Sequence, residues 1–497
     1  MLEWFLVKIE GFVMKKVVTA LIALLLTCCT VIFCACNDEG VPKGATTDGY
    51  VQAQGVKIVD GEGNAIGLYG TNLGGWLVQE SWLVPTDIGG EYGQIDMMLS
   101  LANRFGLDGM NRLLDVYMDN WLTEADFANI AKLGFNCVRI PFTYLNLTNA
   151  VTLDETTATY VRTPFKDLQI RESGFARLDW ALSMCEKYGL YAILDMHGAV
   201  GSQSGNDHTG DIANKNGGLL WNDDETGAIC RQKTKEIWVA IAQRYKNNKS
   251  VAMYDLINEP GIKYPIIGQR TDSTTADYHD ELYKAIRNVD PVHVICMESC
   301  WAAINLPNPS EYGWSNVVYE YHHYNWASNG IPNDVYYSSL INDNAEANYG
   351  VPILIGEFNV WGDAHDDKAD KWGSSRTSAQ TDEQAWDGAM ELYCDLGWNF
   401  TTWNFKHAAE HSSWGIFNYD KNVPNINEQA NFLTMTEEKI ATIWARHNSQ
   451  NYIVNQTLAD CITPHISHFN VNGNDTRSTD QITKDYYILR QNYSWTN

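Results

Sequence analysis

From residue 66 onward the chain alternates between two hydrophobic patterns. Short apolar, β-branched runs fall at 66–70, 137–142, 191–196, 251–257, 293–297, 317–321, 352–355 and 399–403. Between them lie stretches with apolar residues three and four apart, at 127–133, 175–188, 226–245, 278–289, 336–347 and 383–396. The first pattern is that of strands covered on both faces, the second that of helices with one buried stripe. Eight such strands alternating with helices predict an α/β fold, a (β/α)8 or TIM barrel. A doubly wound open sheet is the rival. It usually carries a phosphate loop after its first strand, and Gly70-Thr71-Asn72-Leu73-Gly74-Gly75-Trp76 lacks the G-x-G-x-x-G spacing. Two segments exceed a minimal barrel: a long first βα loop at 76–122 and a C-terminal extension at 451–497, expected to pack on the barrel, with a possible strand at 485–489.

The N-terminus follows another logic. Lys15 and Lys16 precede an apolar stretch at 17–33, and Ala35-Cys36 is followed abruptly by Asn37-Asp38-Glu39-Gly40. Residues 1–35 therefore read as a signal peptide. The small residue before Cys36 resembles the lipobox of bacterial lipoproteins, which implies a lipid on Cys36 and a secreted or envelope-attached protein; an ordinary secretory signal is the alternative. Met14, just before the two lysines, is a possible true start. Residues 36–55, rich in Gly, Thr and Asp, read as a tether, and 56–450 as the barrel domain.

Composition narrows the function classes. Within 497 residues, 61 acidic side chains stand against 35 basic ones, a net charge of −26, and there is no basic cluster. The leader holds only three of the lysines and two of the glutamates, so the acidity belongs to the rest of the chain. Nucleic acid and anionic membrane surfaces are poor partners for it, and any membrane attachment is left to the lipid on Cys36. A neutral ligand fits better. The 18 Trp and 26 Tyr suit flat sugars, whose apolar faces and polar edges these rings match. Cys137, Cys185, Cys230, Cys296, Cys300, Cys394 and Cys461 are scattered without a metal-binding spacing, and buried free thiols are expected rather than disulfides. No metal site and no cofactor are expected, and the protein is read as a monomer.

In a barrel of this kind the C-terminal ends of the strands face one open mouth, so polar residues just past an apolar run are the candidates for chemistry. Strand two offers Arg139, strand three Asp195 and His197, and strand four Asn258-Glu259-Pro260. Strand six offers His322-His323-Tyr324, strand seven Glu357, and strand eight Trp403 and Lys406. Six tryptophans, Trp76, Trp301, Trp326, Trp361, Trp403 and Trp414, fall at or just past strand ends. Two glutamates on opposing strands are what a retaining glycosidase needs, one as acid/base and one as nucleophile.

The surrounding motifs resemble glycoside hydrolase family 5. Tyr254-Asp255-Leu256-Ile257-Asn258-Glu259-Pro260 and Ile353-Leu354-Ile355-Gly356-Glu357-Phe358 are similar to that family's two glutamate motifs. GTNLGGWLVQESW (70–82), RIPF (139–142), DMHGAVGSQSGNDHTG (195–210), YHHY (321–324) and WNFK (403–406) look most like its exo-β-1,3-glucanases from fungi and their bacterial relatives. The resemblance spans residues 66–415. It implies Glu259 as acid/base, Glu357 as nucleophile, Asn258 on the sugar 2-hydroxyl and Arg139 beneath the nucleophile. It further implies His197 and His322 at the subsite, Tyr324 touching the nucleophile, Trp403 as sugar platform, and Glu80 and Asp207 on sugar hydroxyls. Loop capping competes for the last two, and packing for His323. The expected activity is hydrolysis of a β-glucan polysaccharide or oligosaccharide, exo-acting and of glucan 1,3-β-glucosidase type. Thr143-Tyr144-Leu145-Asn146 and Ser81 depart from the fungal pattern where it shapes the pocket. An endo-β-glucanase, cellulase or mannanase therefore stays open, as does a non-catalytic glycan-binding lipoprotein.

Overall fold

The computed structural model describes residues 49–87, 92–212, 218–260, 274–299, 305–325, 341, 349–361 and 382–472. The leader, Cys36, the tether up to residue 48, the helix read at 336–347 except for Ile341, the strand read at 485–489, Cys300, Trp301 and Trp326 lie outside these residues.

All eight expected strands are present: β1 (Tyr69–Asn72), β2 (Cys137–Thr143), β3 (Tyr191–Gly198), β4 (Val251–Asp255), β5 (Val294–Glu298), β6 (Val317–Asn325), β7 (Ile353–Val360) and β8 (Asn399–Thr402). They close into a barrel in chain order, β8 pairing back on β1, and every pair is parallel. The run at 66–70 splits at Gly67. Ala65–Ile66 pairs antiparallel with Lys57–Val59, and the barrel strand starts only at Tyr69. A Cβ at Gly67 would lie 2.4 Å from the Phe469 ring, so a side chain there has no room.

Two irregularities aim the chemistry. Along β6 and β7, Tyr321 pairs with Ile355 but His322 pairs with Glu357, so Gly356 is an extra residue on β7. This bulge turns Glu357 to the inward face beside His322. Only glycine fits there, because a Cβ on Gly356 would lie 1.5 Å from Oε1 of Glu320. A matching shift between β2 and β3 leaves His197 as the extra residue, between Met196 opposite Phe142 and Gly198 opposite Thr143.

The outer layer includes α1 (Gln94–Trp121), α2 (Glu124–Lys132), α3 (Ala176–Tyr188), α4 (Glu225–Tyr245), α5 (Thr274–Arg287), α6 (Asp382–Leu396), α7 (Glu437–Arg446) and α8 (Gln456–Ile466). Local sequence sets several of their ends. Asp224 caps α4 through the N–H of Gly227 at 2.9 Å, and α3 stops at Gly189, whose φ of +64° suits a residue without Cβ. The segment read as a long first loop is largely α1, kinked at Gly106 (φ +76°). It buries Ile95, Met98, Leu101, Met110, Leu113, Tyr117 and Trp121 and packs against α7.

Below the barrel, Val51 and Ile58 pack against Cys137, Tyr191, Val294, Val318 and Leu354. Gln52–Gln54, read as tether, is thus a strand paired with Lys57–Val59, and the folded body begins before residue 56. Within the described part of the C-terminal extension, α8 lies on α6, and Tyr452–Val454 pairs with Phe417–Tyr419. Cys137, Cys185, Cys230, Cys296, Cys394 and Cys461 are free thiols.

Candidate active site

The upper ends of the strands enclose a cavity of about 510 Å3 lined by Glu80, Trp82, His197, His208, Asn258, Glu259, Tyr324, Glu357, Trp403 and Trp414. Seven of these were singled out in the sequence as site residues. A carboxylate oxygen of Glu259 and one of Glu357 lie within 4.8 Å of each other, with Nδ1 of His322 between them.

Glu357 is held at both oxygens. Arg139 Nη1 meets Oε1 at 2.9 Å and the Tyr324 hydroxyl donates to Oε2 at 2.9 Å. Burial, and then the Glu357 charge, push the Tyr324 hydroxyl well above its ordinary pKa, so it stays a donor. Arg139 is fully buried under the cavity floor, where its guanidinium also meets Asp195 at 3.0 Å, Asp255 at 2.8 Å and Glu320 at 3.2 Å. Its Nη2 donates to Asn258 Oδ1 at 2.9 Å, which fixes the Asn258 amide with its N–H2 end left for the cavity.

Glu259 has a different environment. Its Oε1 lies 2.9 Å from His322 Nδ1, and its Oε2 lies 3.7 Å from His208 Nε2. Burial raises the Glu259 carboxyl, but the His322 hydrogen bond and then the charge of His208 outweigh it and hold the carboxyl at about 2. His322 moves the opposite way. Burial lowers its ring, yet Glu298, Glu357 and the bond to Glu259 bring it well above the usual histidine value. The two shifts place the proton of this pair towards His322.

Asp195, Asp255, Glu259, Glu298, Glu320 and Glu357 crowd around Arg139 and His322, and so many carboxylates cannot all ionise in a buried site. Burial, reinforced by neighbouring Glu320, drives Asp255 well above its ordinary value and Asp195 to about 7, against the pull of Arg139. Asp195 also accepts from His197 Nδ1 at 2.7 Å. Burial lowers His197 to about 3, so it is neutral, and its ring lies parallel to Trp403 at 5.2 Å.

The remaining sequence candidates divide. Glu80 lines the cavity, where burial and then the charges of Asp207 and Glu357 raise its carboxyl well above normal, and it accepts from the Trp82 indole N–H at 3.0 Å. Asp207 does not line the cavity; its Oδ1 accepts the N–H of the next residue, His208, at 3.1 Å. His322 and Arg139 lie behind the wall, acting on Glu259 and Glu357. His323 packs among Tyr321, Tyr393 and Trp398. Trp76 is core, 1% exposed, and donates its indole N–H to Met118 O, whereas Trp361 reaches the rim, 5.2 Å from Trp414.

Sequence reasoning passed over Trp82, His208, Gln203 and Glu298. The first three sit inside the quoted motifs. Gln203 donates to the carbonyls of His197 at 2.8 Å and Asn258 at 2.7 Å, tying the ends of β3 and β4 together. Glu298 ends β5, the one strand between two and eight from which no polar residue was taken.

The model of the cellulase family, glycosyl hydrolase family 5, matches residues 100–409. The chain belongs to glycosyl hydrolase family 5. It is 27% identical over 277 residues to a beta-xylosidase of Phanerodontia chrysosporium, covering 55% of this chain and 52% of that protein. It is 30% identical over 263 residues to a probable glucan 1,3-beta-glucosidase A of Aspergillus clavatus, covering 53% and 56%. With a probable glucan endo-1,6-beta-glucosidase B of Aspergillus flavus the identity is 26% over 313 residues, covering 59% and 72%. The chain thus spans about half the length of the first two curated relatives.

Lys406 turns away from the mouth where the strand-end rule placed it. It is 1% exposed, donates to Trp121 O at 2.7 Å and His447 O at 3.1 Å, and sits 4.1 Å from the centre of the Tyr452 ring. Burial lowers its ammonium to about 8, partly opposed by Asp126. Between about pH 8 and the ordinary lysine value of ~10.4 the unfolded chain binds more protons than the folded one, so this group adds stability as pH rises through that window. Lys406→Met is expected to cost about 2–4 kcal/mol by orphaning buried carbonyls, and to remove that rise. Thermal unfolding from pH 7 to 10 checks both.

Proposed function

We propose that the protein is a retaining β-glycosidase that hydrolyses β-glucan, exo-acting and of glucan 1,3-β-glucosidase type. The observation that carries it is the approach of Glu259 and Glu357 to within 4.8 Å in unlike environments. Retaining enzymes space their carboxyl groups ~5–5.5 Å apart, whereas inverting ones leave ~6.5–9.5 Å for a water. The names of the relatives support a β-linked substrate, and the Aspergillus clavatus protein supports the 1,3 linkage.

In the proposed reaction Glu357 attacks the anomeric carbon while Glu259 gives a proton to the departing glycosidic oxygen, so that the bond to the leaving sugar breaks as the glycosyl-enzyme ester forms. Water then displaces Glu357 as Glu259 takes its proton back. Glu259 must be protonated for the first half. A sugar filling the cavity expels the water between the two carboxyl groups, and one acid beside one carboxylate then costs less than two carboxylates. The covalent ester removes the Glu357 charge, which favours Glu259 as base in the second half. Arg139 and Tyr324 hold the two oxygens of Glu357 and aim it. Asn258 holds the 2-hydroxyl, His197 and Glu80 bind further hydroxyls, Asp207 supports Glu80 through its charge, and Trp403 stacks on the ring. His322 acts by holding Glu259. For residues 1–35 we propose export, with Cys36 lipidated and 36–48 as the tether.

Products from laminarin test the reading. Glucose alone in the early phase, with the β-anomer formed first by NMR, is the expected result. A ladder of oligomers would replace exo by endo action, and preference for a β-1,6-glucan, cellulose, mannan or xylo-oligosaccharide would replace the substrate.

A further inference from the structure

Glu259 stands in an unusual backbone conformation, with φ +39°, a region that residues bearing a Cβ rarely occupy. Such a conformation persists only where the surroundings impose it. The backbone N–H of Glu259 donates to Oε2 of Glu298, the last residue of β5. The same oxygen lies 3.6 Å from Nε2 of His322, an electrostatic approach shared with Glu320 Oε1 at 3.5 Å, and the other nitrogen of that ring meets Glu259 Oε1 at 2.9 Å. Glu298 is fully buried, and its second oxygen has no hydrogen-bond partner among the described residues. It does not line the cavity and cannot touch a substrate.

From this geometry we infer that Glu298 is a positioning residue for the acid/base: it fixes Glu259 at two points, directly through the backbone N–H and indirectly by bracing the His322 ring that holds the side chain. The inference rests on the glycosidase reading above. Neither contact is needed to keep the barrel closed, since β5 is paired along both edges to β4 and β6. What the contacts determine is where the Glu259 carboxyl stands relative to the glycosidic oxygen, so losing them should damage proton donation and leave the attack by Glu357 intact. Burial keeps the Glu298 carboxyl well above its ordinary pKa, with the Glu320 charge adding to this against the pull of His322. The amide oxygen of a glutamine can stand where Oε2 stands and accept the same backbone N–H, so glutamine should substitute for it.

The test compares two substrates that differ in their need for an acid: a laminari-oligosaccharide, whose sugar leaving group must be protonated, and 2,4-dinitrophenyl β-glucoside, whose phenolate leaves unaided. Acid catalysis supplies ~10²–10⁴-fold, so Glu298→Leu is expected to lose about 10²-fold in kcat/KM on the oligosaccharide and less than about 3-fold on the aryl glucoside. Glu298→Gln should stay within about 3-fold of wild type on both, its amide oxygen accepting the same N–H. Glu298→Asp, which withdraws the oxygen by one methylene, gives the same split and serves if the leucine variant does not accumulate. Equal losses on the two substrates, or an aspartate variant that matches wild type on both, would overturn the inference while leaving the glycosidase reading standing. A wild-type enzyme inert towards both substrates would instead overturn that reading, and this inference with it.

Discussion

Glu357→Gln is expected to lower kcat on β-glucan by at least ~10³-fold, about 4 kcal/mol of barrier, while leaving the fold and sugar binding in place. The amide keeps the shape of the side chain and can still accept from Tyr324, but it is not a nucleophile and brings no negative charge to the developing oxocarbenium ion. Two of its surroundings make this loss hard to compensate. Arg139 remains beneath it with its charge less neutralised, and among the described residues the only other carboxylate lining the cavity besides Glu259 is Glu80, which is turned to the Trp82 indole. The cheaper control is Glu357→Ala with azide. The small anion should enter the space left by the carboxylate and attack from the same face, giving an α-glucosyl azide from an activated β-glucoside. The configuration of that product separates a missing nucleophile from a general loss of activity, and wild-type turnover by Glu357→Gln would sink the assignment.

The barrel strands could be read from the sequence because parallel strands covered on both faces are near-continuous apolar runs, and because polar residues interrupt those runs towards the mouth. Arg139, Asn258, Glu259 and Glu357 were found by that rule alone. Register is another matter. Strict alternation starting from the outward-facing Ile355 would place Gly356 inward and Glu357 outward; the bulge that corrects this depends on Glu320 occupying the space where a side chain on residue 356 would stand. That is a tertiary fact with no local signature. The helix Gln94–Trp121 was hidden for a different reason: Gly106 breaks its periodicity midway, and the segment lacks the short spacing between strand and helix that marks the later units.

Charge was the least transparent feature. The net −26 says nothing of position, and the charges that matter lie inside, where Asp195, Asp255 and Glu320 crowd beneath the two glutamates around one guanidinium and Glu298 stands beside His322. Asp195 and Asp255 stand in quoted motifs, while Glu298 and Glu320 look like ordinary polar interruptions of a strand. Only closure of the barrel shows that they share one buried space, and with it why the Glu259 carboxyl is held by a histidine rather than by solvent.

For Glu259→Gln a loss of at least ~10³-fold in kcat on glucan is expected, but its signature differs from that of Glu357→Gln. An acid is required in the first half-reaction only when the leaving oxygen is a poor one, and a base is required in the second half-reaction always. On 2,4-dinitrophenyl β-glucoside the variant should therefore release one equivalent of dinitrophenol rapidly and then stall as the glycosyl-enzyme. Mass spectrometry of the stalled protein should find the sugar ester on Glu357. Azide needs no base to attack, so it should restore turnover and yield a β-glucosyl azide, the opposite anomer to that expected from Glu357→Ala. His322 sharpens the experiment. With the carboxylate gone its Nδ1 loses a charged partner at 2.9 Å, so Glu259→Ala, which leaves that nitrogen free beside the opened space, should accept azide more readily than Glu259→Gln. A burst absent from both variants, with wild type active on the same substrate, would mean that the two glutamates do not divide the work in this way.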